Sequence, residues 1–504
     1  MVEGLIYIGM LRTTWLIIFI ASIDRVIPEF SPVTSYDLMK CTYGERGSLT
    51  ATCVNATPSF FKNTLYKFDH LDETLRCVNC TLKSIEPGTF DLNGNQIKHL
   101  DLRNSQIESM KQKAFMGLIF VETLDLSQNK IRSVFPATFI GVKKIASINL
   151  SHNDITILSE NGFLELVNLK TLDVSWNQIE VLDEKAFNGL KSLERLDLSN
   201  NKITELRNAF ENLTSLESIN LRSNNIKTIR GEEFYNLTSL LEIDLSQNDI
   251  STPLLHMSPN AQLRSLNLAH NRIVLLSPTF LEIRSLEELD LSFNKITSIA
   301  RKSFTNLFNL HSIDVSYNEL CEIKTGSFTG LPQLRVLNCS HNAITDVVIS
   351  GVFLLHSLHA LDLSFNRISD LDYTALISRL PRLSYLQLEH NALACDLEAE
   401  MERYFLEDNF KFVLYSNIPG EPKCVDKPTT KHSHTALESV QAPASVTNSQ
   451  IAIFIILSFL IVAVAGLFYL QYRIYRETKL GRAVSTVQLL ATDSNNEEHV
   501  RIKI

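Results

Sequence analysis

An eight-residue line, Leu289-Asp290-Leu291-Ser292-Phe293-Asn294-Lys295-Ile296, returns as Leu124 to Ile131, Leu172 to Ile179, Leu196 to Ile203 and Leu361 to Ile368. Aligned on its asparagine, the series runs Asn129, Asn153, Asn177, Asn201, Asn224, Asn248, Asn271, Asn294, Asn318, Asn342, Asn366 and Asn391, in steps of 23 to 25 residues. Ser105 and Cys80 hold the same slot in two weaker copies ahead of it. A fixed period of this length is the mark of a solenoid. It predicts fourteen turns between about Leu71 and Leu393.

In each copy two apolar residues two positions apart, such as Leu289 and Leu291, alternate with outward-facing neighbours. That is the two-residue period of a short strand. Parallel strands about 4.8 Å apart would then stack into a sheet roughly 60–65 Å long. Nine or ten residues after each slot comes a phenylalanine: Phe90, Phe115, Phe139, Phe163, Phe187, Phe210, Phe234, Phe280, Phe304 and Phe328. Their register predicts an inward spine behind the sheet. The spine lapses at Met257, Val352 and Leu376, and Pro253 and Pro259 predict irregular backbone around residues 251–262.

Written as LxxLxLxxNxL, the line resembles the leucine-rich repeat. The resemblance implies an α/β solenoid, a horseshoe with a parallel concave sheet, closed by disulfide caps. It also implies that each slot asparagine turns inward and bonds the backbone of neighbouring turns, where buried loop amides need partners. A repeat that cannot cover its own apolar stripe requires a cap at either end.

Residues 36–82 supply the first cap and the first repeat, with Cys41, Cys53, Cys77 and Cys80. Four cysteines allow three pairings. The local pairs Cys41–Cys53 and Cys77–Cys80 are favoured here. The Cys77-x-x-Cys80 spacing also suits redox or zinc chemistry, but both residues fall on inward slots and no second ligand pair follows. The repeats occupy 83–394, and 395–424 resembles the C-terminal cap of extracellular members of the family. Leu397 stands where a second cysteine is usual, so one bridge, Cys395–Cys424, is expected. Closing that loop would contribute roughly 3–4 kcal/mol. Cys339 falls on an inward leucine slot and reads as a buried free thiol, with no bridge to Cys321.

Outside the repeats the chain reads as a membrane-anchored surface protein. Residues 1–22 resemble a secretory signal, with Trp15 to Ala21 apolar behind Arg12 and small residues at Ala21-Ser22. Glu3 is unusual there, and Met10 would begin a more regular leader. Residues 425–450 are a polar stalk. Ile451 to Leu470 is then twenty residues without a charge, enough to span a bilayer as a helix. Arg473, Arg476, Lys479 and Arg482 follow it, which puts the 471–504 tail in the cytoplasm, the repeats outside, and the protein at the plasma membrane. The tail is too short for a kinase or Toll-type signalling domain. Its last residues, Ile502-Lys503-Ile504, read as an unstructured end rather than a strand-adding ligand.

No catalytic constellation accompanies this layout, and no cofactor or metal site is expected. His152, His270, His341 and His390 sit just before the slot, but His152 and His270 would lie roughly 25 Å apart and His341 and His390 roughly 10 Å. The Asp column (Asp125, Asp173, Asp197, Asp244, Asp290, Asp314, Asp362) follows family consensus on an exposed strand position. No phosphate loop, nucleophile elbow or HExxH is present. The formal charge of −9, without a basic cluster in the repeats, argues against nucleic acid as a partner.

Six sequons, Asn55, Asn79, Asn149, Asn212, Asn236 and Asn338, suit a glycosylated surface. Asn212 and Asn236 fall on the convex side, Asn149 and Asn338 on the concave sheet. The candidate binding residues are Phe293, Tyr317, His341 and Phe365, in the slot just before the asparagine, with Trp176 alone further up. Nothing in the core demands a ring there, and four rings would line roughly 15 Å of edge. They suit a binding strip, or they pack on one another along the ladder. Repeats, caps, span and tail together resemble the single-pass leucine-rich-repeat receptors and adhesion molecules of animal cells, the cap spacing being most like arthropod members. The resemblance implies a recognition receptor or co-receptor for a protein ligand, innate immunity being one such setting, with homo-oligomers compatible. The alternative is an adhesion or guidance molecule with a partner on another cell or in the matrix.

Overall fold

The computed structural model describes residues 40–43, 49–62, 72–90, 94–278, 281–324, 326–348, 355–407 and 410–414. All belong to the first of two compact units, residues 1–428 and 429–504. The expected signal, stalk, membrane span and tail, together with Cys424, Phe280 and Val352, lie outside the described residues. Among the described residues no helix is long and apolar enough to cross a membrane.

One 17-stranded sheet runs the length of this unit. Lys40–Tyr43 pairs antiparallel with Thr50–Val54, which pairs parallel with Thr74–Val78. From there every strand is parallel to the last, through Glu288–Asp290 to Tyr385–Gln387 and finally Lys411–Val413. Setting aside the two N-terminal strands and the last leaves the fourteen repeat strands that the period predicts. Within a repeat strand the middle residue points in: Leu289 is buried between the exposed Glu288 and the half-buried Asp290.

Both favoured N-terminal disulfides are present, Cys41–Cys53 across the antiparallel pair and Cys77–Cys80. Cys80 is fully buried and Cys77 nearly so, which gives this CxxC a packing role. Cys395 is disulfide-bonded. Cys339 and Cys321 are free, the first buried and the second exposed.

Behind the sheet, Phe90, Phe115, Phe139, Phe163, Phe187, Phe210 and Phe234 stack ring on ring at centroid separations of 5.6–6.4 Å. Phe304 and Phe328 continue the spine at 5.8 Å. Met257 and Leu376 fill their lapses as buried residues. The turn around 251–262 is irregular as expected: a two-residue strand, Thr252–Pro253, and a lone bridge at Leu255 replace the usual run of turns.

The expected α/β character is corrected by the convex side. Among the described residues the helices are Pro58–Lys62, Tyr373–Arg379 and Cys395–Glu407, and the other described returns are turns. The backbone gives the reason. In the 135–142 return the amides of Thr138, Ile140 and Val142 reach back three residues, not four. Ala137 sits at φ +66°, and Lys113, Asn161 and Lys302 hold the same place in their turns with positive φ. A left-handed residue at that point breaks any helix before it completes a turn. A helix forms in the 25-residue step between Asn366 and Asn391, where Asp372 caps it by accepting from the Ala375 amide at 2.9 Å. Short parallel pairs such as Ser133–Val134, Ile157–Leu158 and Val181–Leu182 add a second, smaller sheet.

Candidate binding surface

The slot asparagine fixes the geometry of every turn. Asn294 donates through Nδ2 to the carbonyls of Leu268 (2.9 Å), Leu291 (3.0 Å) and Ser292 (3.1 Å). Its Oδ1 accepts from the amide of Ile273 at 3.0 Å. Two of these partners belong to its own turn and two to the turn before, and Asn129 through Asn366 repeat the arrangement. Each asparagine therefore ties its turn to the preceding one.

To swing that side chain inward, the residue before it takes left-handed backbone. His270, Phe293, Tyr317, His341, Phe365 and His390 have φ between 51° and 56°. So do Gln128, Asn200 and Gln247 to within a few degrees, so the repeat imposes this conformation and the ring does not. Bulky residues there cost about 1–2 kcal/mol each relative to right-handed backbone. Each slot amide donates to the next turn's carbonyl, as Phe293 does to Ser316 and Tyr317 to Ser340. The side chain is left pointing out.

Four of the expected binding residues come together, and two imidazoles lengthen the row. His270, Phe293, Tyr317, His341, Phe365 and His390 form one continuous stack, neighbours 4.0–4.1 Å apart by ring centroid and within 20° of parallel. His270 and His390 were legible as members of the same slot, but counting imidazoles and arenes as separate columns hides the single ribbon. Trp176 stays apart: it stacks on His152 at 5.2 Å, three polar slots (Asn200, Ser223, Gln247) away from the ribbon.

Stacking and exposure coexist. Phe293, Tyr317 and Phe365 remain 41%, 43% and 37% exposed although their faces touch neighbours. The open surface is therefore ring edge. Such a ribbon cannot sandwich a sugar or a nucleobase between its faces, but it offers a firm aromatic rail, of arene and imidazole edges, to a protein laid across it. Burial in the stack holds the His341 imidazole below its usual value, with Asp362 opposing the shift and His390 adding to it. His341 and His390 stand on opposite faces of Phe365, so the ring separates them from any shared ion.

The Asp column closes strands. Asp290, Asp314 and Asp362 each accept from the amide two residues on, at 2.8–2.9 Å. Asn149 and Asn338, in the same column, accept likewise from Ser151 and Ser340. Asn338 also donates to Asp314 at 2.8 Å. Of the other sequon residues, Asn79, Asn212 and Asn236 are exposed and Asn55 is half-buried.

A leucine-rich-repeat family model matches residues 73–131, 121–179, 167–226, 214–273 and 284–344, more than half of the chain, and a second such model matches 355–376. The leucine-rich-repeat domain of APL1B superposes with a TM-score of 0.53 at 25% identity, over 64% of this chain and 90% of that one. A leucine-rich-repeat protein of Leptospira interrogans gives 0.56 at 22% identity, over 72% and 88%. The Toll–Spätzle complex of Drosophila gives 0.52 at 18% identity, over 72% and 66%. No curated protein matches by sequence. The repeats, the asparagine ladder and these matches agree that the chain belongs to the leucine-rich-repeat family.

Proposed function

We propose that the chain is a cell-surface recognition protein, a receptor or co-receptor whose repeats bind a protein ligand. In this reading it is held at the plasma membrane by the 451–470 segment, with the repeats outside. The six-ring ribbon carries the proposal: it is a continuous aromatic edge that the core does not require, closed to flat ligands and open to a protein surface, with three imidazoles among its rings. Membership of a family whose repeats ordinarily serve as interaction scaffolds, without catalysis, supports it. Large aromatics contribute binding area at little rotamer cost and are enriched at hot spots.

The test is the double variant Tyr317→Ala with Phe365→Ala, displayed on cells and offered candidate soluble proteins. Binding should fall at least tenfold while surface display stays at the wild-type level. Wild-type binding by a normally displayed double variant would reduce the ribbon to packing. Aggregation of cells bearing the protein, with no capture of soluble protein, would favour the adhesion reading instead.

A further inference from the structure

The convex back of three consecutive early turns carries a run of exposed apolar side chains. Met116, Ile140 and Leu164 follow consecutive spine phenylalanines by one residue, and Ile119 and Val167 lie in the next row. Met116 is 46%, Ile119 55%, Leu164 45% and Val167 47% exposed. An ideal Cβ on Gly141 would lie 3.5 Å from the Met116 Cα, which shows how closely these turns abut. A cavity of about 180 Å³ opens between them, lined by Pro136, Phe139, Ile140 and Leu164 together with Asn161 and Glu165. In the next two turns the position after the spine is polar, Asn188 and Glu211, and the exposed apolar column resumes only with Tyr235. Contiguous exposed apolar surface of this kind marks interaction sites.

We propose that this patch docks an amphipathic helix of a partner protein whose apolar stripe is bordered by carboxylates. Two observations select that occupant. The first is pitch. Directly beneath the patch the turns repeat at 5.6 and 5.9 Å, measured between the buried rings of Phe115, Phe139 and Phe163. Side chains three and four apart on a helix are about 5–6 Å apart, whereas alternate residues of a strand are roughly 6.6–6.8 Å apart. Helical knobs therefore fall in step with the ridges. The second is charge. Although the chain is acidic overall, lysines predominate around this patch: Lys111, Lys113, Lys143 and Lys144 are all exposed, against the one carboxylate, Glu165, that lines the cavity. Lys144 Nζ lies 4.8 Å above the Phe120 ring, and Asn168 beside Val167 donates to the Lys143 carbonyl, which fixes these lysines at the apolar border. The one sequon between residues 111 and 167, Asn149, is on the opposite, concave sheet.

The test uses full-length protein in lipid nanodiscs, with empty nanodiscs as the blank. The probe is a fluorescent 18-residue peptide with leucines three and four apart and glutamates along both borders. It should bind saturably, whereas a scrambled peptide of equal composition should not. Met116→Ser with Leu164→Ser should weaken binding at least tenfold. Lys143→Glu with Lys144→Glu should do the same, and should transfer preference to a peptide with lysine borders. That exchange is independent of any loss of fold. No saturable binding, equal binding of the scrambled peptide, or indifference to both variant pairs would overturn the proposal. So would a wild-type dimer that sediments as a monomer once Met116 and Leu164 are serine, because the occupant would then be a second copy. None of these outcomes bears on the ribbon.

Discussion

Replacing Asn294 with alanine removes four hydrogen bonds, yet the structure predicts the cost of one. Each carbonyl that Asn294 serves has a second donor. Leu268 keeps Asn271 at 3.0 Å, Leu291 keeps Asn318 at 3.0 Å, and Ser292 keeps the His270 amide at 2.9 Å. The group left without a partner is the Ile273 amide, which donates to the Asn294 Oδ1. One buried donor left unmade costs about 1–3 kcal/mol, not the several-fold larger sum of the bonds broken. Aspartate should be worse than alanine. It would satisfy Ile273 but turn its second oxygen toward three carbonyl oxygens, in a site where Asn294 is 8% exposed, adding about 1 kcal/mol or more. Hydrogen exchange reads both effects. In Asn294→Ala the Ile273 amide should exchange about five- to a hundredfold faster, with loosening concentrated in the turns on either side. Unchanged protection at Ile273, uniform loosening along the repeats, or an aspartate variant more stable than the alanine would each refute the reasoning.

Phe304 is fully buried and stacks on Phe328, so Phe304→Ala should destabilise by about 3–5 kcal/mol through the cavity it leaves, read as a lowered denaturation midpoint. Burial pushes the Cys339 thiol well above the usual range, so iodoacetamide should label Cys321 in the native protein and reach Cys339 only in denaturant, as peptide mass spectrometry would show. The His341 ring, depressed below 6.5 chiefly by burial, should titrate below that value by NMR and move upward in Phe365→Ala. Its sign follows: the unfolded chain takes up this proton first, so its contribution to stability is full above 6.5 and declines as the pH falls toward the folded value.

Much of this could be read from the sequence because it repeats. The asparagine slot, the leucine pair and the spine phenylalanines recur often enough that period alone assigns them, and locality was enough for the Cys41–Cys53 and Cys77–Cys80 bridges. Two kinds of feature escaped. The short convex strands, such as Ile157–Leu158, are two residues long and so carry no period of their own. The turns in place of helices depend on a left-handed residue at Lys113, Ala137, Asn161 and Lys302, three residue types that share a conformation and no sequence signal.

The ribbon and the convex patch share a third reason for being hard to read. In both, what matters is which outward residues become neighbours, and a solenoid makes neighbours of residues about 24 positions apart. Once the slot has fixed the register, an outward column is as calculable as an inward one. His270 then belongs with Phe293, and Met116 with Ile140 and Leu164. The inward columns are alike in nearly every turn because each turn must close on the next. The outward columns vary, since folding leaves them free, and that freedom is what lets one edge become a ribbon of rings and one stretch of the convex back an apolar patch with a lysine rim. Surface that the core does not dictate, yet that is contiguous and rich in large side chains, is where a partner's chemistry can be sought in a repeat protein. Here it occurs in two separate places, so the two proposed docking sites can be tested and removed independently.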